Sequence, residues 1–474
     1  MRGIIAYGAY VPWWRIERAA IGAAHGGSAG RGTRAVASYD EDTTSMGVEA
    51  ARRALRTLGD AGRELPETLV FATTAPSYAD KTNATTVHAA LRLGRDVRAF
   101  DAVGAVRSAA GAVDAALDGS RPTLVVASDV RTGMPNSPDE REGGAGAAAL
   151  LIGDDRADAP VLAELLGSAS TSEEFVDRWR VPGDVRSRQW EERFGETRYV
   201  PLGTEAYKLA LDAAGVGAED LAGVIVAGPH SRAVRQVAGK VSTGTAGGSL
   251  DVLADTVGNA GAAQAWLALA HWLDTAEAGQ TVAVVSLADG CDVFVFRATE
   301  ALATHRPAPS VADQVAAGNP SLPYLKFLAW TGMATVQPPN RPEPARASSS
   351  AAARSEDWKY GFVGSQDHTT GAIHLPPARV SYRGGAVDDM APLPMADATG
   401  TVVTFTVDRL AYSPSPPILF AVVDFDGGGR LPVELTDVDA ASVAMGDRVE
   451  MTFRRLNSSD GIQNYFWKAR PVRG

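Results

Sequence analysis

The sequence predicts an α/β protein in which one strand-and-helix unit occurs twice, followed by a small β-barrel. Three observations carry this reading. A long, ordered repeat runs through the first two thirds, its strands are apolar at successive positions, and the composition changes abruptly near residue 338.

The repeat comes first because it fixes the architecture. The stretch from Asp101, DAVGAVRSAAGAVDAALDG followed by PTLVVASD, lines up with that from Asp255, DTVGNAGAAQAWLALAHWLDTAEAG followed by QTVAVVSLAD. Each reads as a glycine-containing turn, an apolar helix and a buried strand. Upstream of each lies a strand ending in a short loop, TLVFATTAPSY at 68–78 and GVIVAGPHSR at 223–232. Downstream lies a small-residue strand, GGAGAAALLIG at 143–153 and ADGCDVFVFRA at 288–298. The runs LVVAS and VAVVS do not alternate, so both sheet faces must be covered by helices. The helices between them are nearly uncharged, so they belong to the interior. The duplicated unit is read as residues 1–335, with halves at about 1–160 and 200–300. Strand and helix ends at TTAPSY, GPHSR, DAVGAVRS and DTVGNAG converge where an open α/β sheet holds its ligand.

After PYLKFLAWTG the chain turns to QPPNRPEPARASSSAAARSED, a linker signature at 338–357. From Trp358 to Gly474, alternating runs such as TGTVVTFTVDRL, ILFAVVDF, LPVELTDV, MGDRVEMTFRRL and NYFWKARPV predict five short strands closing a barrel.

Composition narrows the partners. The 474 residues carry 45 Lys+Arg against 56 Asp+Glu, a formal charge of −11, which disfavours a phosphate-tracking nucleic-acid surface. One cysteine excludes an intrachain disulfide and points to the cytosol. The opening MRGIIAYGAYVPWWRIERAA lacks the apolar run of a signal peptide, and no membrane span is expected.

The repeat, with GPH at 228–230, VGN at 257–259 and the opening GIIAYGAYVP, resembles the thiolase superfamily in its HMG-CoA synthase and ketoacyl-ACP synthase III branch. The segment with HLPPARV, GTVVTFTVDRLAYSPSPP, MGDRVEMTF and NYFWKARP is similar to the OB-fold, zinc-ribbon-bearing domains associated with acyl-CoA thiolases and synthases. The resemblance implies a thiolase-like, αβαβα-layered fold, an OB-fold domain, a homodimer, and acyl-CoA or acyl carrier protein as substrate, the acyl group riding on CoA or phosphopantetheine.

That chemistry asks for a nucleophile at the start of the first-repeat helix, where backbone amides and the helix dipole favour an anion. It also asks for a His and an Asn from the second repeat to polarise a thioester carbonyl. His230 and Asn259 match those two positions. Val106 stands where the family has its cysteine, followed by Arg107 and Ser108. Three readings stay open: Ser108 is the nucleophile, a substrate reacts without an acyl-enzyme, or the pocket does not catalyse. The acid/base Glu of HMG-CoA synthases is missing from FATTAPSYADKTN, where Asp80 is the one carboxylate, so HMG-CoA synthesis itself is not expected. The zinc-ribbon cysteines are replaced by Asp367, Thr370, Ser381 and Gly384, which cannot form a tetrahedral zinc site, and no metal or other cofactor is expected.

Each candidate has a plainer reading. Small residues such as Ser108 also serve close helix packing, His230 can be structural, and Asn259 can simply hold a tight turn. Arg107 near the start of an uncharged helix needs an anion, either on the substrate or on Asp101 or Asp80. Cys291, the lone thiol, begins a strand where related proteins line the pocket; a nucleophile is one reading of it, without a base or helix start beside it, and a small buried hydrophobe the other. His88, His271 and His305 have no metal-ligand spacing. The expectation is an acyltransferase or condensing enzyme without a cysteine nucleophile, Ser108, His230 and Asn259 being catalytic and Val106, Arg107, Asp80 and Cys291 lining the substrate. The rival is a thiolase-fold scaffold that presents acyl thioesters to a separate thiolase.

Overall fold

The computed structural model describes residues 1–27, 30–59, 61–184 and 186–473. Nine strands form one continuous sheet, and its order exposes the duplication. The first half runs β1 (Arg2–Tyr10), α1 (Thr43–Arg56), β2 (Thr68–Thr73), α2 (Ala84–Leu91), β3 (Arg98–Val103), α3 (Arg107–Asp118), β4 (Thr123–Val130) and β5 (Ala145–Asp154). The second runs β6 (Ala163–Ser172), α4 (Glu192–Ala214), β7 (Leu221–Ala227), α5 (Ser231–Val241), α6 (Gln264–Leu273), β8 (Thr281–Leu287) and β9 (Gly290–Ala298). Across the sheet the strands lie β7-β8-β9-β6-β1-β5-β4-β2-β3, so β1-β5-β4-β2 and β6-β9-β8-β7 repeat one arrangement, joined where β1 meets β6 antiparallel at Gly3–Glu164.

The unbroken apolar strands follow from what covers them. Every residue of β8 is buried, and α3 and α6 touch strands of both halves, which makes them the central layer. Their sequences explain the placement: α6 is QAWLALAHWL, with Trp266 1% exposed, and its apolar positions run round the whole helix. Helices α1 and α2 cover the outer face of the first half, α4 and α5 that of the second. The result is five layers, helix-sheet-helix-sheet-helix.

The C-terminal region begins with a three-stranded sheet of β10 (Val363–Asp367), β11 (Ile373–His374) and β12 (Met390–Pro394). Strands β13 (Thr399–Asp408), β14 (Ile418–Phe425), β15 (Arg430–Leu435), β16 (Arg448–Ser459) and β17 (Ile462–Pro471) close a barrel. Within 338–357 the structure has a short helix, Ser349–Arg354.

The barrel is seated on α1. One apolar cluster joins Met46, Ala50 and Leu55 of α1 to Phe453, Tyr465 and Trp467 of the barrel. Around it lies a buried ionic network. Arg454, 1% exposed, pairs with Glu41 and Asp437, and Lys468 Nζ lies 2.9 Å from Asp40 and 2.7 Å from Glu434. Arg52 pairs with Glu49 at 2.7 Å, and Glu49 also faces Arg470 at 3.4 Å. Among the described residues no helix is long and apolar enough to cross a membrane.

Candidate active site

The C-terminal ends of β2, β4 and β7 are drawn together, Thr74 Oγ1 and Ala262 N both donating to Asp129, Gly104 N before α3 to Thr73 O, and Asn259 Nδ2 to Gly228 O; this is the candidate crevice, with His230 on its second-repeat side. It caps α5: its Nδ1 accepts the Ala233 N–H at 3.1 Å. A neutral ring that accepts at Nδ1 carries its proton on Nε2. Beside it lies Asp177, which the sequence did not flag. A Cβ on Gly195 would fall 2.3 Å from Asp177 Oδ1 and 2.6 Å from His230 Cδ2, so the absence of a side chain there lets carboxylate and imidazole share one space. Asp177 is 4% exposed. Burial raises its carboxyl, while the charges of His230 and Arg178 pull it back down.

Asn259 is held in the turn before α6. Its Nδ2 donates to Gly228 O at 2.7 Å and its Oδ1 accepts from Gly261 N at 2.8 Å, which ties this turn to the GPH loop. One of the two amide N–H groups is therefore committed, leaving one.

At the first-repeat wall, Val106 is the residue preceding α3, and no thiol or hydroxyl occupies that position. Arg107 does not pair with Asp101 or Asp80. Its Nε and Nη2 grip Asp292 at 2.9 and 3.1 Å, Nη1 donates to Asp289 O at 2.8 Å, and Nη2 also reaches Ser170 Oγ at 2.9 Å. A guanidinium this fully engaged closes the α3 end of the crevice from within instead of waiting for a substrate anion. Asp101 instead accepts from the Asn83 and Ala84 N–H groups at the start of α2. Asp80 is exposed on the loop after β2 and bonds neither Arg107 nor His230 among the described residues. Cys291 is corrected too: it is 0% exposed, packed in the cluster of Val226, Val285 and Val293, and burial pushes its thiol up, so it lines no pocket and offers no thiolate. Ser108 sits half-buried in the first turn of α3, and no hydrogen bond reaches its Oγ among the described residues, so the structure gives it no base.

Tyr199 links the two sides. The Tyr199 ring stands 6.0 Å from that of His230, and its OH accepts the N–H of Asp289, whose carbonyl accepts from Arg107, at 3.3 Å. Over the top runs the segment between β6 and α4. Arg178 pairs with Asp139 and donates to Pro229 O at 3.4 Å, Arg180 donates to Thr74 O, and the Trp190 N–H donates to Asp177 O at 2.7 Å. No periodicity marks these residues in the sequence. Asp177 sits in a bend just before the two-residue strand Arg178–Trp179, which pairs with Arg188–Gln189, and only the fold brings it to His230.

Gly290 tests the Arg107 closure. Its φ is +130°, and a Cβ there would lie 2.2 Å from Thr171 O and 2.6 Å from Arg107 Nη1. Gly290→Ala is expected to cost about 2 kcal/mol of stability in urea unfolding, from left-side backbone strain plus displacement of the guanidinium. A change under about 0.5 kcal/mol would show that Arg107 is not locked there.

The four positions that replace the ribbon cysteines do come together. Asp367 Oδ1 accepts from Thr369 N at 2.8 Å, and Oδ2 from Thr370 Oγ1 at 2.6 Å; the Ser381 hydroxyl also bonds the carboxylate, and a Cβ on Gly384 would sit 3.5 Å from Thr370 Cγ2. The Ser381 and Thr370 hydroxyls hold the Asp367 carboxyl well below the usual range. The turn is thus closed by hydrogen bonds on a carboxylate. Oxygen donors from one Asp and two hydroxyls do not suit a thiolate-type zinc site.

Comparison with known proteins agrees with this architecture. The chain is 28% identical over 314 residues to the hydroxymethylglutaryl-CoA synthase of Methanopyrus kandleri, covering 63% of this chain and 88% of that one. It is 28% identical over 322 residues to the Pyrococcus furiosus enzyme of the same name, covering 66% and 91%. Among solved structures, an HMG-CoA synthase complexed with CoA superposes with a TM-score of 0.56 at 17% identity, over 69% of this chain and 89% of that one. The curacin-pathway HMG synthase with acetyl donor-ACP gives 0.59 at 20%, over 70% and 88%. The 3-oxoacyl-[acyl-carrier-protein] synthase III of Aquifex aeolicus gives 0.53 at 20%, over 63% of this chain and 100% of that one. Residues 394–454 match the C-terminal OB-fold domain of ChsH2. The chain is therefore similar in sequence to HMG-CoA synthases, shares its fold with HMG-CoA synthases and ketoacyl synthase III, and carries at 394–454 a match to the ChsH2 C-terminal OB-fold domain.

Proposed function

We propose that this chain is a condensing acyltransferase acting on acyl thioesters, carried by CoA or an acyl carrier protein, in which no cysteine attacks the thioester. The observation that carries this reading is the His230–Asp177 pair at the crevice. With its proton on Nε2, the neutral His230 ring donates a hydrogen bond to a thioester oxygen as that oxygen gains negative charge, and the Asp177 carboxylate packed beside the ring helps to hold it in that position. The remaining N–H of Asn259 is the second donor. With valine at 106, no acyl-enzyme forms: the acceptor nucleophile attacks the thioester carbonyl directly, its new bond to the acyl carbon replaces the C–S bond, and the CoA or carrier thiolate leaves. Relatives named as synthases of CoA esters, and neighbours crystallised with CoA or a donor carrier protein, support the substrate class. The working units are 1–335, 338–357 and 358–474, in the cytosol, with no nucleic-acid, membrane or metal requirement.

Intact-mass measurement after incubation with a panel of acyl-CoAs tests this. Release of CoA with formation of a new acyl product and no adduct on the protein is expected. An adduct abolished by Ser108→Ala would replace direct transfer by a serine acyl-enzyme. Absence of turnover with every thioester, together with co-purification of a thiolase, would sink the enzymatic reading.

The dimer implied by the resemblance also has a surface that supports it. Strand β3 lies at the sheet edge, bonded only to β2, and Phe100 and Val103 on it are 50% and 45% exposed. An unpaired apolar edge of this kind invites pairing with a second copy of the same strand. Phe100→Glu is expected to shift the protein from dimer to monomer in light scattering; an unchanged mass would move the interface elsewhere.

A further inference from the structure

Away from the crevice, four arginines from the outer helices and their ends converge on a cavity of about 230 Å³ between the first half of the sheet domain and the C-terminal region. Arg52 and Arg56 come from α1, Arg63 from the short helix Ala61–Glu64, and Arg92 from the residue after α2; Leu55 and Leu91 form the apolar floor and Asp397 is the one carboxylate on the wall. The charges do not balance. Asp397 lies 2.9 Å from Arg52 and 3.3 Å from Arg56, and Glu49 takes Arg52 as well, so the wall's one carboxylate is spent on these two, while Asp357 acts on Arg92 from beyond the wall without forming an ion pair with it. Arg63 and Arg92 remain without an ion-pair partner among the described residues, and Nε and Nη1 of Arg92 are buried with no hydrogen-bond acceptor.

Leaving two guanidiniums side by side has a cost that Arg52, Arg454, Lys468 and Arg470 at the barrel interface avoid, each facing a carboxylate. Arg92 is moreover held in a left-handed conformation, φ 56°, with its stem under Gly361, where a Cβ would lie 2.7 Å from Arg92 Cγ. A non-glycine residue in that region needs the surroundings to over-determine it. The adjoining hollow on the far side of Arg63 and Arg92 holds Arg98 and Arg121 but also Glu64, Glu67 and Asp96, so it is close to neutral and leaves the excess positive charge on the first cavity.

We propose that this cavity is a binding site for a phosphate-class oxyanion, free or as a phosphomonoester, held between Arg63 and Arg92. Planar, multidentate guanidiniums suit a tetrahedral oxyanion, and the cavity has room for one with a small substituent over the leucine floor. Because Gly361 and Asp397 belong to the C-terminal region, a bound anion clamps that region to α1 and α2.

The full-length protein titrated with inorganic phosphate, at ionic strength held constant with sodium chloride, tests the site by calorimetry and thermal unfolding. Saturable binding with a rise in Tm is expected. Arg63→Gln and Arg92→Gln should each weaken phosphate affinity at least tenfold while leaving the phosphate-free Tm unchanged or higher, because each removes a like-charge contact. Tighter binding of glycerol 3-phosphate than of phosphate would assign the site to an ester; the reverse would assign it to the free ion. No saturable binding to the wild type, or undiminished binding in both variants, would overturn the proposal.

Discussion

Arg454→Met is expected to destabilise the protein by about 3–5 kcal/mol, read as a lower urea midpoint and as earlier loss of barrel tryptophan signal than of the sheet domain. The side chain is 1% exposed and is the cation shared by Glu41 of the sheet domain and Asp437 of the barrel. Methionine fills much of the volume, so the loss comes from two carboxylates stranded in the interior. Adding Glu41→Gln and Asp437→Asn to Arg454→Met should therefore return most of the stability. If the single variant lies within about 1 kcal/mol of wild type, the network does not hold the domains together.

The network also has a pH signature. Burial, with Glu41 and Asp40 nearby, raises the Asp437 carboxyl despite Arg454. A folded value above the unfolded one favours the protonated form in the fold. Its contribution is complete below about pH 4, near the unfolded value, and is lost as pH rises through the raised one. Asp40 behaves oppositely. Lys468 and Arg454 hold its carboxyl far below the usual range despite burial, so its contribution is present above about pH 4 and disappears on acidification. Asp437→Asn should remove the loss on the alkaline side and leave the acid limb intact.

His230→Ala should lower kcat for acyl transfer by about 10²–10³-fold, equal to ~2.7–4 kcal/mol, the usual cost of one donor to a developing oxyanion. The residue also caps α5, so a structural loss has to be separated from a chemical one. His230→Ser provides that separation: serine is a good helix cap but too short to reach the thioester. It should restore Tm relative to alanine without restoring turnover. Recovery of turnover with serine would make His230 a capping residue only.

Much of this was readable in the residues themselves. The apolar runs of β4 and β8 and the nearly uncharged α3 and α6 describe a core with helices on both faces of the sheet, and the structure has that arrangement. His230 and Asn259 could be located because short motifs sit at strand and helix ends. Asp177, Tyr199 and Asp292 could not. The first lies in irregular backbone, the second on a long mixed helix, and the third pairs with Arg107 across 185 positions of sequence. Neither anion offered for Arg107, one on the substrate or Asp101 or Asp80, is the one it grips; it pairs with Asp292 because nearness along the chain is a poor guide in a duplicated fold, where the second half supplies partners for the first. Cys291 failed for a related reason: its strand alternates faces, and the thiol points to the outer helices, not to the crevice.

That buried thiol has a kinetic consequence. As the sole sulfhydryl of the chain, 0% exposed between β9 and its covering helices, Cys291 is chemically silent in the native state, and any alkylating or oxidising reagent must wait for the second half of the sheet to open. Its labelling rate is thus an internal clock for the opening of that half, one that ticks independently of whether the barrel remains seated on the other.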